Sequence, residues 1–176
     1  MCLVLIAWRV HPRYPLIVAA NRDEFYARPT RPAQRWPGAS GMIAGQDLEA
    51  GGSWMGVDAA GRFAAVTNFR ELEQGPADAR SRGELVTDYL LGDTPAESYL
   101  GELAERANRY RGYNLLLSDG DELYCASNRG SPISRLPAGV HGVSNGPLDS
   151  DWPKVKLGRQ LLAKAVDRAG EHGRGS

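Results

Sequence analysis

The sequence predicts an α+β fold or a sandwich of sheets between helical layers. Apolar runs of strand length occur in hairpin-spaced blocks. Two helical segments separate those blocks and a third closes the chain, and strands do not alternate with helices as βαβ units require. With 176 residues, 42% apolar and 24% charged, the chain reads as one domain over 1–176 with enough apolar content for a core. Its 21 glycines and 11 prolines predict many tight turns.

In chain order, CLVLIAWRV (2–10) and PLIVAAN (15–21) read as an antiparallel hairpin across the turn HPRYP. Residues 27–41, with Pro29, Pro32, Pro37, Gly38 and Gly41, predict an irregular surface loop. Strands follow at 42–45, 52–58 and 62–68, the last two joined tightly by Ala59-Ala60-Gly61. A polar stretch with Gly75-Pro76 is a loop. Ser81 and Glu84 have the spacing of a capping box ahead of Leu85, Val86, Tyr89 and Leu90, predicting a helix that stops near Gly92. Thr94-Pro95 opens a second helix carrying Tyr99, Leu100, Leu103 and Ala107. Strands 112–119 and 122–128 turn at Asp119-Gly120-Asp121, and 133–136 with 139–145 predicts one more hairpin. A last helix runs from about Pro153 to Ala169, and 170–176 is a frayed tail.

The 21 basic and 21 acidic residues cancel, which argues against nucleic acid as a partner. Residues 1–36 nevertheless carry six arginines against Asp23 and Glu24, enough to draw an anion unless they are simply a solvated surface. Two cysteines without metal-ligand spacing predict neither a disulfide framework nor a metal site. The absence of GxGxxG or phosphate-loop glycines leaves nucleotide cofactors without support. No apolar run is long enough for membrane insertion, and Met1–Trp8 lacks the basic start and cleavage site of a signal peptide. The expectation is a soluble cytoplasmic protein without a cofactor.

Chemistry points first to Cys2. Removal of Met1 would leave a cysteine bearing both a thiol, near ~8.5, and an α-amine, near ~7.7–8.0, so one residue supplies nucleophile and base. The alternative is a small buried hydrophobe at a strand start. Asn21, Arg22, Asp23 and Glu24 follow a buried strand. If that strand pairs with 2–10, residues near 23 lie opposite residues near 2, where Asp23 could orient the amine; otherwise they form a solvated turn. Asn68 and Asn145 each end an apolar strand, as oxyanion-hole donors or as turn formers. The three histidines read as surface or core residues, the tryptophans as core or pocket wall, and the last helix's lysines and arginines as a solvated face.

Met1-Cys2 followed by ANRDEFYARPT (20–30), GGSWMGV (51–57), FAAVTNFRE (63–71), SRGELV (81–86), GYNLLL (112–117) and SNGPLDSDWPKVKLG (144–158) resembles the NRDE family, also called the transport and Golgi organisation protein 2 family. That family resembles the N-terminal nucleophile (Ntn) hydrolases of the choloylglycine hydrolase and penicillin V acylase group. The resemblance implies an αββα four-layer sandwich and cleavage of a linear, non-peptide amide. By position, Cys2 would be nucleophile and base and Asp23 would hold the amine. Asn68 would give a backbone donor and Asn145 a side-chain donor to the oxyanion hole. The hydrolases carry an arginine where this chain has Ala20. Family members usually continue beyond this length, which implies either a shortened member or a sheet edge for a partner to cover, a second copy included. The family's links to haem mobilisation, to lipid or acyl-CoA handling and to trafficking imply binding in place of turnover. Asn21, Arg22, Glu24 and Arg28 would then contact an amphipathic anion, with Arg31 and Arg35 beside them.

Overall fold

The computed structural model describes residues 2–37, 41–71, 78–130 and 133–172. Met1, Gly75-Pro76 and the last four residues of the expected tail lie outside them. Two antiparallel sheets form the centre. The smaller has the order β10-β1-β2, from β1 (Leu3–Trp8), β2 (Leu16–Asn21) and β10 (Gly139–Val143). The larger has the order β3-β4-β5-β6-β7-β8-β9. Its strands are β3 (Thr30–Arg35), β4 (Ile43–Asp47), β5 (Met55–Val57), β6 (Phe63–Asn68), β7 (Tyr113–Ser118), β8 (Leu123–Ser127) and β9 (Ser134–Arg135). The helices are α1 (Gly83–Leu91), α2 (Ala96–Glu105) and α3 (Pro153–His172).

Side-chain parity along the strands builds the layers. In β1, Val4, Ile6 and Trp8 face one way and meet Phe63 and Ala65 of β6, Leu116 of β7, and Leu123 and Cys125 of β8; this is the core between the sheets. Leu5 and Ala7 face the other way, onto Leu162 and Val166 of α3. Ala64, Val66, Leu115, Leu117, Tyr124 and Ala126 point outward from the large sheet and bury Leu85, Val86, Tyr89, Leu90, Tyr99, Leu100 and Leu103 of α1 and α2. The order is helix, sheet, sheet, helix, the expected αββα arrangement. Because both sheets are covered on both faces, the central strands read as near-continuous apolar runs.

Three expectations need correction. Residues 30–35 are a strand. The arginines and prolines of this segment hide it, but β3 is an edge strand with every residue exposed, and its ladder shifts register between Arg31 and Gln34, around Pro32. Segments 133–136 and 139–145 are not a hairpin: β9 pairs with β8 in the large sheet while β10 pairs with β1 in the small one. The chain changes sheets at Leu136–Ala138, which apolar periodicity does not encode. The capping box at Ser81 does not close. The Ser81 hydroxyl takes the Gly83 N–H at 3.2 Å, whereas the Glu84 carboxylate pairs with Arg80 at 2.6 Å, and the helix starts two residues later than Ser81.

β10 is fastened to α3 by charge. His141 Nδ1 lies 2.9 Å from Asp149, its Nε2 lies 2.9 Å from the Pro137 carbonyl, and Arg159 reaches Asp149 at 3.3 Å and the Val140 carbonyl at 2.9 Å. Both ring nitrogens face acceptors, the arrangement that suits the doubly protonated imidazolium. The Asp149 hydrogen bond raises the His141 pKa against burial and the nearby Arg159 charge. For Asp149, burial acts upward, but His141, the Gly142 N–H and Arg159 outweigh it and its pKa is lowered.

The folded chain therefore holds the His141 proton more tightly than the unfolded chain. This stabilisation is full below about pH 6.5 and is lost as pH rises through the raised value. The Asp149 contribution is lost at the other end, as pH falls through its lowered value. Replacing His141 by Leu is expected to cost roughly 2 kcal/mol near pH 5.5 and to flatten the decline in melting temperature above neutral pH, measured by thermal denaturation across a pH series.

Candidate functional site

The β1–β2 ladder ends at Leu3 opposite Asn21, so Cys2 and Arg22–Glu24 leave the same end of the small sheet. One further step of that register sets Arg22, and not Asp23, directly across from Cys2. Strand alternation stops with the ladder, and Arg22, Asp23 and Glu24 all line one cavity of about 440 Å³. Cys2, Asn68 and Arg28 line it too. Asn145 is held at its edge, its Nδ2 donating to the Asn68 carbonyl at 2.8 Å. Asn21 is exposed at the end of β2, outside the lining. Seven of the ten residues singled out from sequence thus meet at one end of the sandwich, and Arg31 and Arg35, exposed on β3, lie outside the lining.

Residues that sequence reasoning left without a role hold this group together. Thr67 gives its hydroxyl proton to the Ser144 carbonyl at 2.6 Å. Asn114 Nδ2 lies within 3.0–3.3 Å of Thr67 Oγ1 and the carbonyls of Ser144 and Gly146. The Ser144 hydroxyl donates to the Cys2 carbonyl at 2.6 Å. Thr67, Asn114 and Ser144 are all buried, so these bonds act in a medium that penalises their loss. Lys154, in the first turn of α3, also approaches the Cys2 carbonyl, at 3.5 Å, and so does not belong to a solvated face.

Arg22 and Arg28 are already neutralised. Asp47 Oδ2 accepts from Arg28 Nε at 2.6 Å and from Arg22 Nη2 at 3.2 Å, while its Oδ1 accepts the N–H groups of Glu49 and Ala50. Burial pushes the Asp47 pKa up, but these donors prevail and lower it. Arg22 also stacks 4.4 Å over the Trp54 ring and lies 3.8 Å from Glu24; Arg28 reaches Glu49 at 3.2 Å. Trp54 is a pocket wall, as its residue type suggested.

The Cys2 thiol is raised by burial and by Glu24, against the lowering charges of Arg22 and Lys154. The other free cysteine, Cys125, is buried in the inter-sheet core and its thiol is pushed up to about 12. His11 accepts the N–H groups of Arg13 and Tyr14 within its turn and His141 serves β10, so neither is a base for Cys2. Among the described residues no His, Cys, Asp and Glu cluster could hold a metal, and no helix is long and apolar enough to cross a membrane.

A family model described as Transport and Golgi organisation 2 matches residues 1–174. The chain belongs to that family. Two curated relatives, the "Transport and Golgi organization 2 homolog" of Mus musculus and the "Transport and Golgi organization protein 2 homolog" of Homo sapiens, are each 38% identical to it. Both alignments cover 96% of this chain and 66% of the relative. A Drosophila melanogaster relative, "Transport and Golgi organization protein 2", is 30% identical over 97% of this chain and 67% of its own length. The chain thus spans about two thirds of the length of these family members.

One pair of glycines from the family-like segments shapes the cavity wall. A Cβ on Gly52 would stand 2.5 Å from the Gly83 carbonyl carbon and 2.9 Å from Glu84 N. The missing side chain lets the segment before β5 abut the first turn of α1, where Ser53 N–H donates to the Gly83 carbonyl at 3.1 Å. The obstacle is helix backbone, which cannot rotate away. Replacing Gly52 by Ala is expected to cost roughly 1–3 kcal/mol and to alter labelling of Cys2 by a thiol reagent, read by denaturant unfolding and by mass-resolved alkylation.

Proposed function

We propose that this protein is a cysteine-nucleophile hydrolase of a linear, non-peptide amide, of the Ntn type that the family resemblance implies. The observation that carries the reading is the meeting of Cys2, Asp23 and Asn68 in one cavity, with the Asn145 amide at the Asn68 carbonyl. Within a peptide chain the Cys2 thiol has a raised pKa and no histidine beside it, so it is a poor nucleophile. Removal of Met1 supplies the missing base by freeing the Cys2 α-amine.

The neutral amine takes the thiol proton, and Asp23 orients the ammonium that results. Sulfur attacks the amide carbon, and the carbonyl electron pair moves to oxygen, stabilised by the Asn68 main chain and the second Nδ2 proton of Asn145. The tetrahedral species collapses with the C–N bond breaking, and the leaving amine receives the ammonium proton. Water then attacks the thioester, giving up a proton to the α-amine, and the acid departs as the thiol reforms.

A second reading is binding and transfer of an amphipathic anion such as haem or an acyl-CoA- or lipid-like molecule. The arginine-rich cavity wall favours it. The relatives' names add a trafficking role as a third. A reducing compartment, the cytoplasm, suits two free cysteines.

The hydrolase reading expects an intact mass lacking Met1. It also expects turnover, on a panel of acyl amides, acyl-CoA and haem, that falls by at least about 10⁴-fold in Cys2→Ala. Turnover by protein that retains Met1, or undiminished in Cys2→Ala, would overturn it; binding that survives in Cys2→Ala without turnover in the wild type would favour the carrier.

A further inference from the structure

Five arginines line the cavity: Arg22, Arg28, Arg80, Arg82 and Arg111. Three have their charge met. Asp47 holds Arg22 and Arg28, and Glu84 holds Arg80 at 2.6 Å. Neither Arg82 nor Arg111 has a carboxylate within ion-pair distance among the described residues.

Arg82 is half-buried, and its guanidinium makes one hydrogen bond among the described residues, from Nη1 to the Gly112 carbonyl at 3.1 Å. A guanidinium carries five N–H donors in a planar fork, a geometry matched to a carboxylate or phosphate. Burial and the like charge of Arg111 both work against this cation and lower its pKa. Glu71, Cys2 and Glu24 act in its favour. Glu71, however, is engaged with Gly112 N–H at 2.8 Å and Arg129 at 2.6 Å, and Glu24 with Arg22. Two cations of one sign, poorly compensated, the half-buried Arg82 and the exposed Arg111, therefore share one wall.

The backbone of that wall is preset. Arg82 immediately precedes α1, whose first turn is tied to Ser53, so the positive end of a nine-residue helix faces the cavity beside the guanidinium. Arg111 immediately precedes Gly112, which binds Glu71 through its N–H and accepts from both Phe69 N and Arg82 Nη1 through its carbonyl. A Cβ at Gly112 would lie 2.9 Å from the Glu71 carboxyl carbon and 3.0 Å from the Phe69 Cβ, so glycine permits this junction.

We propose that Arg82 and Arg111 form an oxyanion subsite that takes a carboxylate or phosphate group of a ligand whose other end lies at Cys2. The subsite deepens the reading of the Cys2 cavity as the substrate site, naming an acyl compound with a distal anionic group as its ligand class. Asp23, Glu24, Asp47 and Glu49 on the remaining lining repel a second anion and keep the charged end on the arginine side.

The test does not require turnover. Cys2 in the full chain is alkylated with iodoacetamide at low ionic strength and followed by peptide mass. Glutarate, its neutral analogue glutaramide and inorganic phosphate are added as competitors. Glutarate or phosphate is expected to slow labelling while glutaramide does not. The Arg82→Gln/Arg111→Gln variant is expected to need at least about tenfold more anion for the same protection. Protection by glutarate alone assigns a carboxylate; protection by phosphate alone assigns a phosphate. Lack of protection by either anion, equal protection by glutaramide, or unchanged protection in a variant whose circular dichroism matches the wild type would overturn the subsite. If the double variant unfolds, the single variant Arg111→Gln, at an exposed position, carries the same comparison with a smaller expected shift. A failed hydrolase assay leaves this result standing, and failed protection leaves the hydrolase assay standing.

Discussion

Thr67 on the inner face of β6 bonds to the carbonyl of Ser144, and Asn114 on β7 bridges that carbonyl, Thr67 and Gly146. Thr67 continues the apolar row of Phe63 and Ala65 on β6, and Asn114 flanks Leu116 on the same face of β7. The seam fastens the exit of β10 to the large sheet, and Ser144 passes the constraint to the Cys2 carbonyl. A buried network of this kind is costly if any member is left unsatisfied, so it selects one docking of the sheets over sliding alternatives. Cys2 immediately precedes β1 of the small sheet, and Asn68 ends β6 of the large one. Their meeting in one cavity depends on that docking.

The cavity's electrostatics follow from how its charges are shared. Asp47 collects two arginines and two backbone amides, turning Arg22 and Arg28 into a rigid partition with Trp54 beneath Arg22. Burial raises the Cys2 thiol despite the cations near it, and so lowers the fraction present as thiolate. The wall formed by Arg82 and Arg111 lacks a comparable carboxylate among the described residues. One side of the cavity is internally balanced and the other is biased toward an anion.

Much of this was legible in the residues. The first hairpin follows from LVLIAW and LIVAAN with a short turn, and it brings the residues around 23 to the end of the sheet where Cys2 stands. The αββα layering is what the family resemblance implies, and the blocks of apolar strands separated by helices agree with it. β3 was hidden because an exposed edge strand needs backbone pairing and no apolar side chain. The split of β9 from β10 was hidden because two short apolar runs separated by a turn look like a hairpin whichever sheet each joins. Lys154 looked solvated because helical spacing does not reveal that the start of α3 lies against the Cys2 carbonyl.

What the sequence by itself determined was the kind and order of most elements and the chemical types gathered around Cys2 and the Asn21–Glu24 segment. Those features depend on backbone periodicity and on the identity of neighbours within a few residues. Only the tertiary structure decided which charges cancel and which stay uncompensated, and which hydroxyl and amide anchor the strand that follows Cys2. Arg22 meets Asp47 across 25 positions, and Ser144 meets Cys2 across 142. Coulomb forces and hydrogen bonds act through distance in space, and that distance is set when two sheets pack, not by separation along the chain.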